Sequence, residues 1–446
     1  MRRATYCAIM GLAFFSMEGA YMSKVAGHGI CFSVVASLIL MALLGCAVAE
    51  TPTPPASLTP SPTVAKSPTP SPSPYAPPST ITLWTTEAFL PSPDTSTGEV
   101  MEGIYQGFRE EHPDIAVQFV PKRPYGKGGI LDFLLTASAV APQTLPDLVT
   151  IDLSQVEFLL GKEILQPWDG LIPQELADDL LPRIRQAGSK EGQLVAFPFQ
   201  VDIEHLVYNP SLIDSPPRTW DELQSQETTY VFPAGGEEGV NSFLIHYLAL
   251  GGSLVDEEGN PDLDEAVLTQ VLEFYREGYE AGYISPSVLD LKSLDDSWAL
   301  FKEGGVAMAN VSSQHLLMEG AGQAYAPLPT KNGAQATMAR CWAFVLLTPD
   351  PRRQAPAAEF VEWFLTPENL TAWAQASGHL PPSRSALRLA IEDTGYRLFA
   401  RRQMEAAYLR PLNAEIAAAL QQAVVDVLSG NATPQEATDQ VIQTLH

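Results

Sequence analysis

From Ile81 to the C-terminus, short apolar runs of strand length alternate with longer stretches whose apolar residues recur every three or four positions. This alternation limits the fold more than any other feature. A period of two buries one face of a strand, and a period of 3.6 buries one stripe of a helix. ITLWT (81–85), IAVQFV (115–120) and DLVTID (147–152) read as strands. Between them, Val100, Ile104 and Phe108 share one face of a helix over 100–111 that Pro113 stops, and 131–139 is also helical. Strands and helices in strict alternation predict a parallel sheet with crossover helices, an α/β fold.

A second set starts near Val201. Thr219-Trp220-Asp221-Glu222 has the spacing of a capping box. Helices are expected at 240–250, 264–281 and 293–303, the last closed by Gly304-Gly305, with a strand at VAMAN (306–310). WAFVLL (342–347) reads as a strand and 354–365 as a helix. Thr366-Pro367 is expected to cap and open a helix through Ala376, and the Ala/Leu/Gln-rich tail, 396–446, is helical. There is no internal repeat. With 446 residues the chain is too long for one hydrophobic core, so two domains are expected.

The N-terminus reads as a targeting segment, 1–45. Ile30–Leu44 is an apolar run of 15 residues, which fits a signal peptide and is short for a membrane span. It ends in Leu43-Leu44-Gly45-Cys46, which resembles a bacterial lipobox; cleavage would leave Cys46 lipidated at the new N-terminus. An ordinary membrane anchor is the alternative. Met22-Ser23-Lys24 would start a more ordinary signal peptide than Met1 does. With Cys7 and Cys31 removed and Cys46 acylated, only Cys341 is left, so no intramolecular disulfide is expected.

Residues 46–80 read as a tether. Of the 30 residues from Thr51 to Thr80, 11 are Pro and 12 are Ser or Thr. Such a composition cannot bury a core and favours extended polyproline II, reaching at most on the order of 90 Å.

The chain carries 52 Asp and Glu against 26 Lys and Arg, a net charge of −26 with no basic run to offset it. That argues against a nucleic-acid partner and against tight docking on anionic lipid. No G-x-S-x-G, Walker A, H-E-x-x-H or C-x-x-C motif occurs, and the seven histidines lack metal-ligand spacing. Neither a metal nor a cofactor is expected, and the chain does not read as an enzyme. A secreted glycoside hydrolase, whose two carboxylates need no local motif, is the less favoured alternative.

Several blocks then fall in a telling order: ITLWTTE (81–87), FREEHPDIAVQFV (108–120), LPDLVTIDLSQVEFLLGKEILQPWDGLI (145–172) and GQLVAFPFQVDIEHLVYNPSLI (192–213). They continue through PPRTWDEL (216–223), YLALGGSLVDEEGNPDLDEA (247–266), ALFKEGGVAMAN (299–310), YAPLPTKNG (325–333) and the stretch 342–387. Together they resemble the family-1 extracellular solute-binding proteins, which include maltose- and multiple-sugar-binding components of ABC importers. The resemblance is absent before residue 80 and thins over the last 50 residues. It implies a two-lobed periplasmic-binding-protein type II fold with a hinge and an interlobe ligand cleft. By pattern, lobe 1 is 81–200 plus 340–378 and lobe 2 is 201–339 plus 379–446, with crossings near Phe199–Asp202 and Arg340–Trp342. It further implies a monomeric extracytoplasmic receptor that binds a mono- or oligosaccharide and delivers it to an ABC permease. A receptor presenting its ligand to a membrane sensor would look the same, and related proteins take polyol phosphates, polyamines or iron.

A sugar cleft needs flat aromatic surfaces and planar polar side chains. Trp84, Thr86 and Glu87 lie at or just past the end of the first strand, where open α/β sheets place ligands; Trp84 reads equally as core. Asp152 and Ser154 end another strand in the same way. Gln200 and Asp202 flank the first crossing, with a structural hydrogen-bonding role as the alternative for Asp202. By the resemblance, Tyr208 occupies a position that often stacks on sugar, or else packs the second lobe's sheet. Arg340 and Trp342 bracket the second crossing; an inward Arg340 requires a carboxylate partner or an anionic ligand. Trp298 and Asn310–Gln314 are weaker candidates. Trp168, Trp220, Trp363 and Trp373 read as core or surface anchors, and Asp295-Asp296 as a solvated helix face.

Overall fold

Two long, largely apolar strands, Ala196–Tyr208 and Thr337–Leu346, organise the molecule. The computed structural model describes residues 79–256, 259–320, 322–409 and 413–445. The apolar run 30–44, Cys46 and the Pro/Ser/Thr tract through residue 78 lie outside the described residues.

The first lobe opens with β1 (Ser79–Thr85), α1 (Ser96–Glu111), β2 (Ile115–Pro121), α2 (Ile130–Val140) and β3 (Leu148–Asp152). β1 pairs parallel with both β2 and β3, as the alternation predicts. α1 starts four residues before the expected Val100, because Thr95 caps it by accepting from the Gly98 N–H. Next come β4 (Ala196–Tyr208), β5 (Tyr230–Val231), α3 (Gly239–Ala249), α4 (Glu265–Ala281), α5 (Leu294–Lys302), β6 (Met308–Ser312) and α6 (Ser313–Glu319). β7 (Thr337–Leu346), α7 (Pro351–Phe364) and α8 (Pro367–Ser377) follow. Three further helices, Thr394–Glu405, Ala414–Leu428 and Pro434–Leu445, account for the helical tail.

The expected capping box forms at Thr219 and Glu222. Thr366 does not cap α8: its hydroxyl donates backward to the Trp363 carbonyl at 3.0 Å instead. Pro367 still opens that helix, since the first helical N–H has no intrahelical acceptor to lose.

The main sheet runs β2-β1-β3-β7-β4-β6-β5. β7 is antiparallel to both neighbours, β3 and β4, and β4 is antiparallel to β6. β4 therefore pairs with β7 through its first two-thirds and with β6 through its last third, so it passes from one lobe into the other. Arg340 sits opposite Asp202 in this pairing, and a register shift follows at Trp342/Ala343. A bulge there re-aims the side chains beside it.

Phe108, Phe199, Phe344, Phe360, Phe364 and Trp373 lead one buried cluster; Phe232, Phe243, Tyr247, Tyr275 and Leu420 lead the other. Each large apolar side chain removed from water contributes roughly 1.5–3 kcal/mol. Cys341 is buried with a free thiol. Among the described residues no helix is long and apolar enough to cross a membrane.

Candidate functional site

Side chains two apart on a strand share a face. Gln200, Asp202 and Glu204 on β4, with Met338, Arg340 and Trp342 on β7, open onto two adjoining cavities. These measure about 410 and about 200 Å3, and Asp202, Arg340 and Gln314 border both. Such a cleft is of small-molecule size.

The larger cavity has an aromatic wall. Phe89 meets Trp342 edge-on at 5.0 Å and Phe199 edge-on at 5.3 Å, and tilts against Trp373 at 5.4 Å. Tyr125 tilts against Trp342 at 6.2 Å and donates its hydroxyl to Asp152 at 2.6 Å. The Trp373 indole N–H donates to Gln200 Oε1 at 2.9 Å. These contacts preset the rings, so little order has to be imposed when a ligand arrives.

At the junction, Asp202 Oδ1 accepts from the Ser312 hydroxyl at 2.7 Å and the Ser313 hydroxyl at 2.6 Å. Burial opposes its ionisation, but His379, the two hydroxyls and Arg340 outweigh burial and hold the carboxyl below its ordinary value. Burial works against the Arg340 charge as well. Tyr125, Asp202, Glu238 and Asp152 more than compensate, and its value is raised. The guanidinium lies 3.5 Å from Glu238 Oε1. Gln314 Nε2 donates to the Ser377 carbonyl at 2.9 Å, tying α6 to the end of α8.

The smaller cavity is acidic. Glu204 is buried, and burial followed by the charge of Glu238 pushes its carboxyl up to about 8. His315 stacks on Trp298 at 5.7 Å, accepts from the Ser312 N–H and pairs with Asp295 at 2.7 Å.

Thr86, Gln200, Asp202, Arg340 and Trp342 all border the cleft. Ser312 and Gln314, from the weaker run Asn310–Gln314, border it as well, whereas Trp84, Glu87, Asp152, Ser154, Tyr208, Trp298 and Asn310 stand outside its lining. The Trp84 ring is covered by the Lys122 ammonium at 4.8 Å and meets Phe133 edge-on at 6.3 Å. Glu87 is exposed and opens the single turn that carries Phe89 into the cleft. Asp152 stands behind the wall, holding Tyr125 and accepting from the Ser154 hydroxyl at 2.6 Å. Tyr208 packs against the second-lobe core. Asn310 is buried and bonded to Tyr230 and Ser242.

Sequence reasoning overlooked Phe89, Tyr125, Glu204, Glu238, Asn241 and His379, and it assigned Trp373 to packing alone. One signal was present: Glu204 continues the two-residue period of Gln200 and Asp202. Asp295, read as a solvated helix face, reaches the rim of the smaller cavity.

A family model described as bacterial extracellular solute-binding protein matches residues 104–394. A mannitol-binding protein of Pseudomonas aeruginosa is 26% identical over 316 residues, 64% of this chain and 69% of that protein. A maltotriose-binding protein of Pyrococcus abyssi is 26% identical over 297 residues, 62% of this chain and 63% of that protein. The chain thus spans less than two thirds of the second relative's length. Among solved structures, the cyclic α-maltosyl-1,6-maltose binding protein of Arthrobacter globiformis aligns with a TM-score of 0.65 at 22% identity. That alignment covers 82% of this chain and 98% of that one, and it shows the same two-lobed type II fold.

Proposed function

Because the chain belongs to the bacterial extracellular solute-binding protein family, we propose that it is a receptor for a mono- or oligosaccharide that serves an ABC importer. The observation that carries this reading is the cleft itself: an aromatic wall at one end, with Asp202, Arg340 and Gln314 at the junction of the two lobes. A sugar ring presents an apolar C–H face to such a wall and its hydroxyls to planar, charged partners. Both curated relatives are binding proteins, which supports a receptor over a hydrolase.

A ligand seated between the lobes contacts both, and closure is favoured by whatever contacts exist only in the closed state. No energy source is needed in this subunit. The closed form then presents its lobe edges to the permease. In this reading the lipobox-like Cys46 carries a lipid, and the Pro/Ser/Thr tract holds the lobes away from an extracytoplasmic membrane surface as a monomer.

A thermal-shift screen of the purified protein against sugars, polyols, amino acids and polyamines tests the reading. A ligand at 100 times its dissociation constant adds about 2.7 kcal/mol of stability. A shift confined to one sugar class supports the receptor and names its substrate. A folded protein that responds to nothing in the panel refutes the sugar assignment.

A further inference from the structure

The second-lobe end of the cleft holds more acceptors than the protein fills. Among the described residues, Glu204 Oε2 and Asn241 Oδ1 are buried without a hydrogen-bond partner, in residues only 6% and 5% exposed. Both residues line the smaller cavity together with Asp202 and Glu238. Asp202, Glu204 and Glu238 therefore meet there around one guanidinium, that of Arg340, while the fourth carboxyl of the lining, Asp295, stands at the rim paired with His315. Asp202 is already served by two serine hydroxyls, and Arg340 stands 3.5 Å from Glu238. Among the described residues no ion pair forms with Glu204, and the charge of Arg340 acts on it less than that of Glu238 does.

A ligand hydroxyl would fill one acceptor but bring no charge to balance an ionised Glu204. An ammonium group brings three N–H donors and the balancing charge, and hydrogen bonds between ionised partners are the stronger kind. Resting on the receptor reading above, we propose that this end of the cleft selects a sugar or polyol bearing a primary ammonium group, seated between Glu204, Glu238 and Asn241.

The empty site is prepared for this exchange. Buried and facing Glu238, Glu204 keeps its proton at neutral pH. A side-chain hydrogen bond from Asn241 opposes that effect, Asp202 on the same strand adds to it, and Arg340 on β7 opposes it. The hydroxyls of Tyr230 on β5 and Tyr275 on α4 face it from behind; burial first, together with charges that include Glu204, raises both, so they stay neutral. His315 and Asp295 form a pair at the rim of the same cavity. When R–NH3+ arrives, the Glu204 carboxyl gives its proton to bulk water and becomes the carboxylate that accepts the ammonium N–H. One proton leaves for each ligand bound, and nothing is oxidised or reduced.

Titration calorimetry of the purified protein tests this with glucamine against glucitol, and with glucose aminated at its terminal carbon against glucose. Runs at pH 6 and pH 8, in two buffers of different ionisation enthalpy, read both affinity and proton release. An aliphatic amine stays protonated through this range. The amine is expected to bind about tenfold tighter than its hydroxyl counterpart at pH 8, to gain about fiftyfold between pH 6 and pH 8, and to release close to one proton at pH 7. Glu204→Gln should abolish the proton release and the pH dependence. Glu238→Gln, at a partly exposed position, should narrow the amine preference and guards against a folding defect in the first variant. Amine binding without proton release, or no preference for the amine, overturns the proposal. Binding of glucitol, glucose or maltotriose while both amines fail sinks the ammonium seat and leaves the receptor standing. If no sugar, polyol or amine binds the folded protein, both readings fall.

Discussion

The two ends of the cleft are built on opposite principles. In the first lobe, Phe89, Trp342, Trp373 and Tyr125 brace one another, and the polar groups beside them are occupied: Gln200 by the Trp373 indole and Asp152 by the Tyr125 hydroxyl. In the second lobe, Glu204 and Asn241 each keep a buried acceptor with no partner among the described residues. The first end is a finished surface whose energy is already present in the empty protein. The second is incomplete, and a ligand would relieve its cost. A receptor divided in this way would gain affinity from packing at one end and selectivity from electrostatics at the other.

The largest effect should come from removing part of the finished wall. Trp342→Ala deletes a buried ring that touches Phe89 and Tyr125, so urea unfolding should show a loss of about 3 kcal/mol. Sugar affinity should fall by more than about tenfold. An unchanged unfolding midpoint would mean the wall stores no packing energy, and the contrast would collapse.

The unfinished end should announce itself through pH. The folded Glu204 carboxyl, at about 8, lies above its ordinary 4.5. The native state therefore holds a proton that the unfolded chain has already lost, and stability falls as pH rises between those values. About 3 kcal/mol should disappear between pH 5 and pH 8, and Glu204→Gln should remove that slope. A slope of equal size in the variant would place its source elsewhere.

Smaller changes sharpen the same contrast. Tyr125→Phe leaves the ring and deletes the donor to Asp152, for an expected loss of about 1 kcal/mol. Its test is whether ligand affinity drops more than stability does, as loosening of a preset ring requires. Asp295→Asn should change stability by less than about 0.5 kcal/mol, because that side chain is 88% exposed and its pairing with His315 is weakened by solvent. A larger loss would show the rim to be part of the second lobe's framework.

Much of the architecture could be read from local pattern. The helices at 239–249, 265–281 and 294–302 fall within a residue or two of their expected limits, because their apolar spacing and caps act over one or two turns. The parallel pairing of β1 with β2 and β3 followed from strand–helix alternation. The cleft was harder to read. Thr86, Gln200, Asp202, Arg340 and Trp342 were found because strand ends and crossings can be located along the chain. Phe89 was overlooked because it lies in a single helical turn without periodicity, and Glu204 because β4 was treated as one apolar block. Thr366 shows the limit of capping rules. Its hydroxyl had a nearer acceptor in the Trp363 carbonyl, and competition between acceptors is invisible to residue type.

Sequence by itself determined the alternation of elements, the acidic surface and the apolar stripes that form two cores, since each depends on residues a few positions apart. Only the tertiary structure decided which polar groups are satisfied. Asp202 meets Ser312 from 110 residues away, and Trp373 reaches Gln200 across 173. Among the described residues Glu204 forms no ion pair, because the fold places Arg340 beside Glu238 and Asp202, and the charge of Arg340 reaches Glu204 only weakly. Burial fixes the cost of a polar group and distant chain fixes its partners, so the chemistry of this cleft exists only once the lobes have folded.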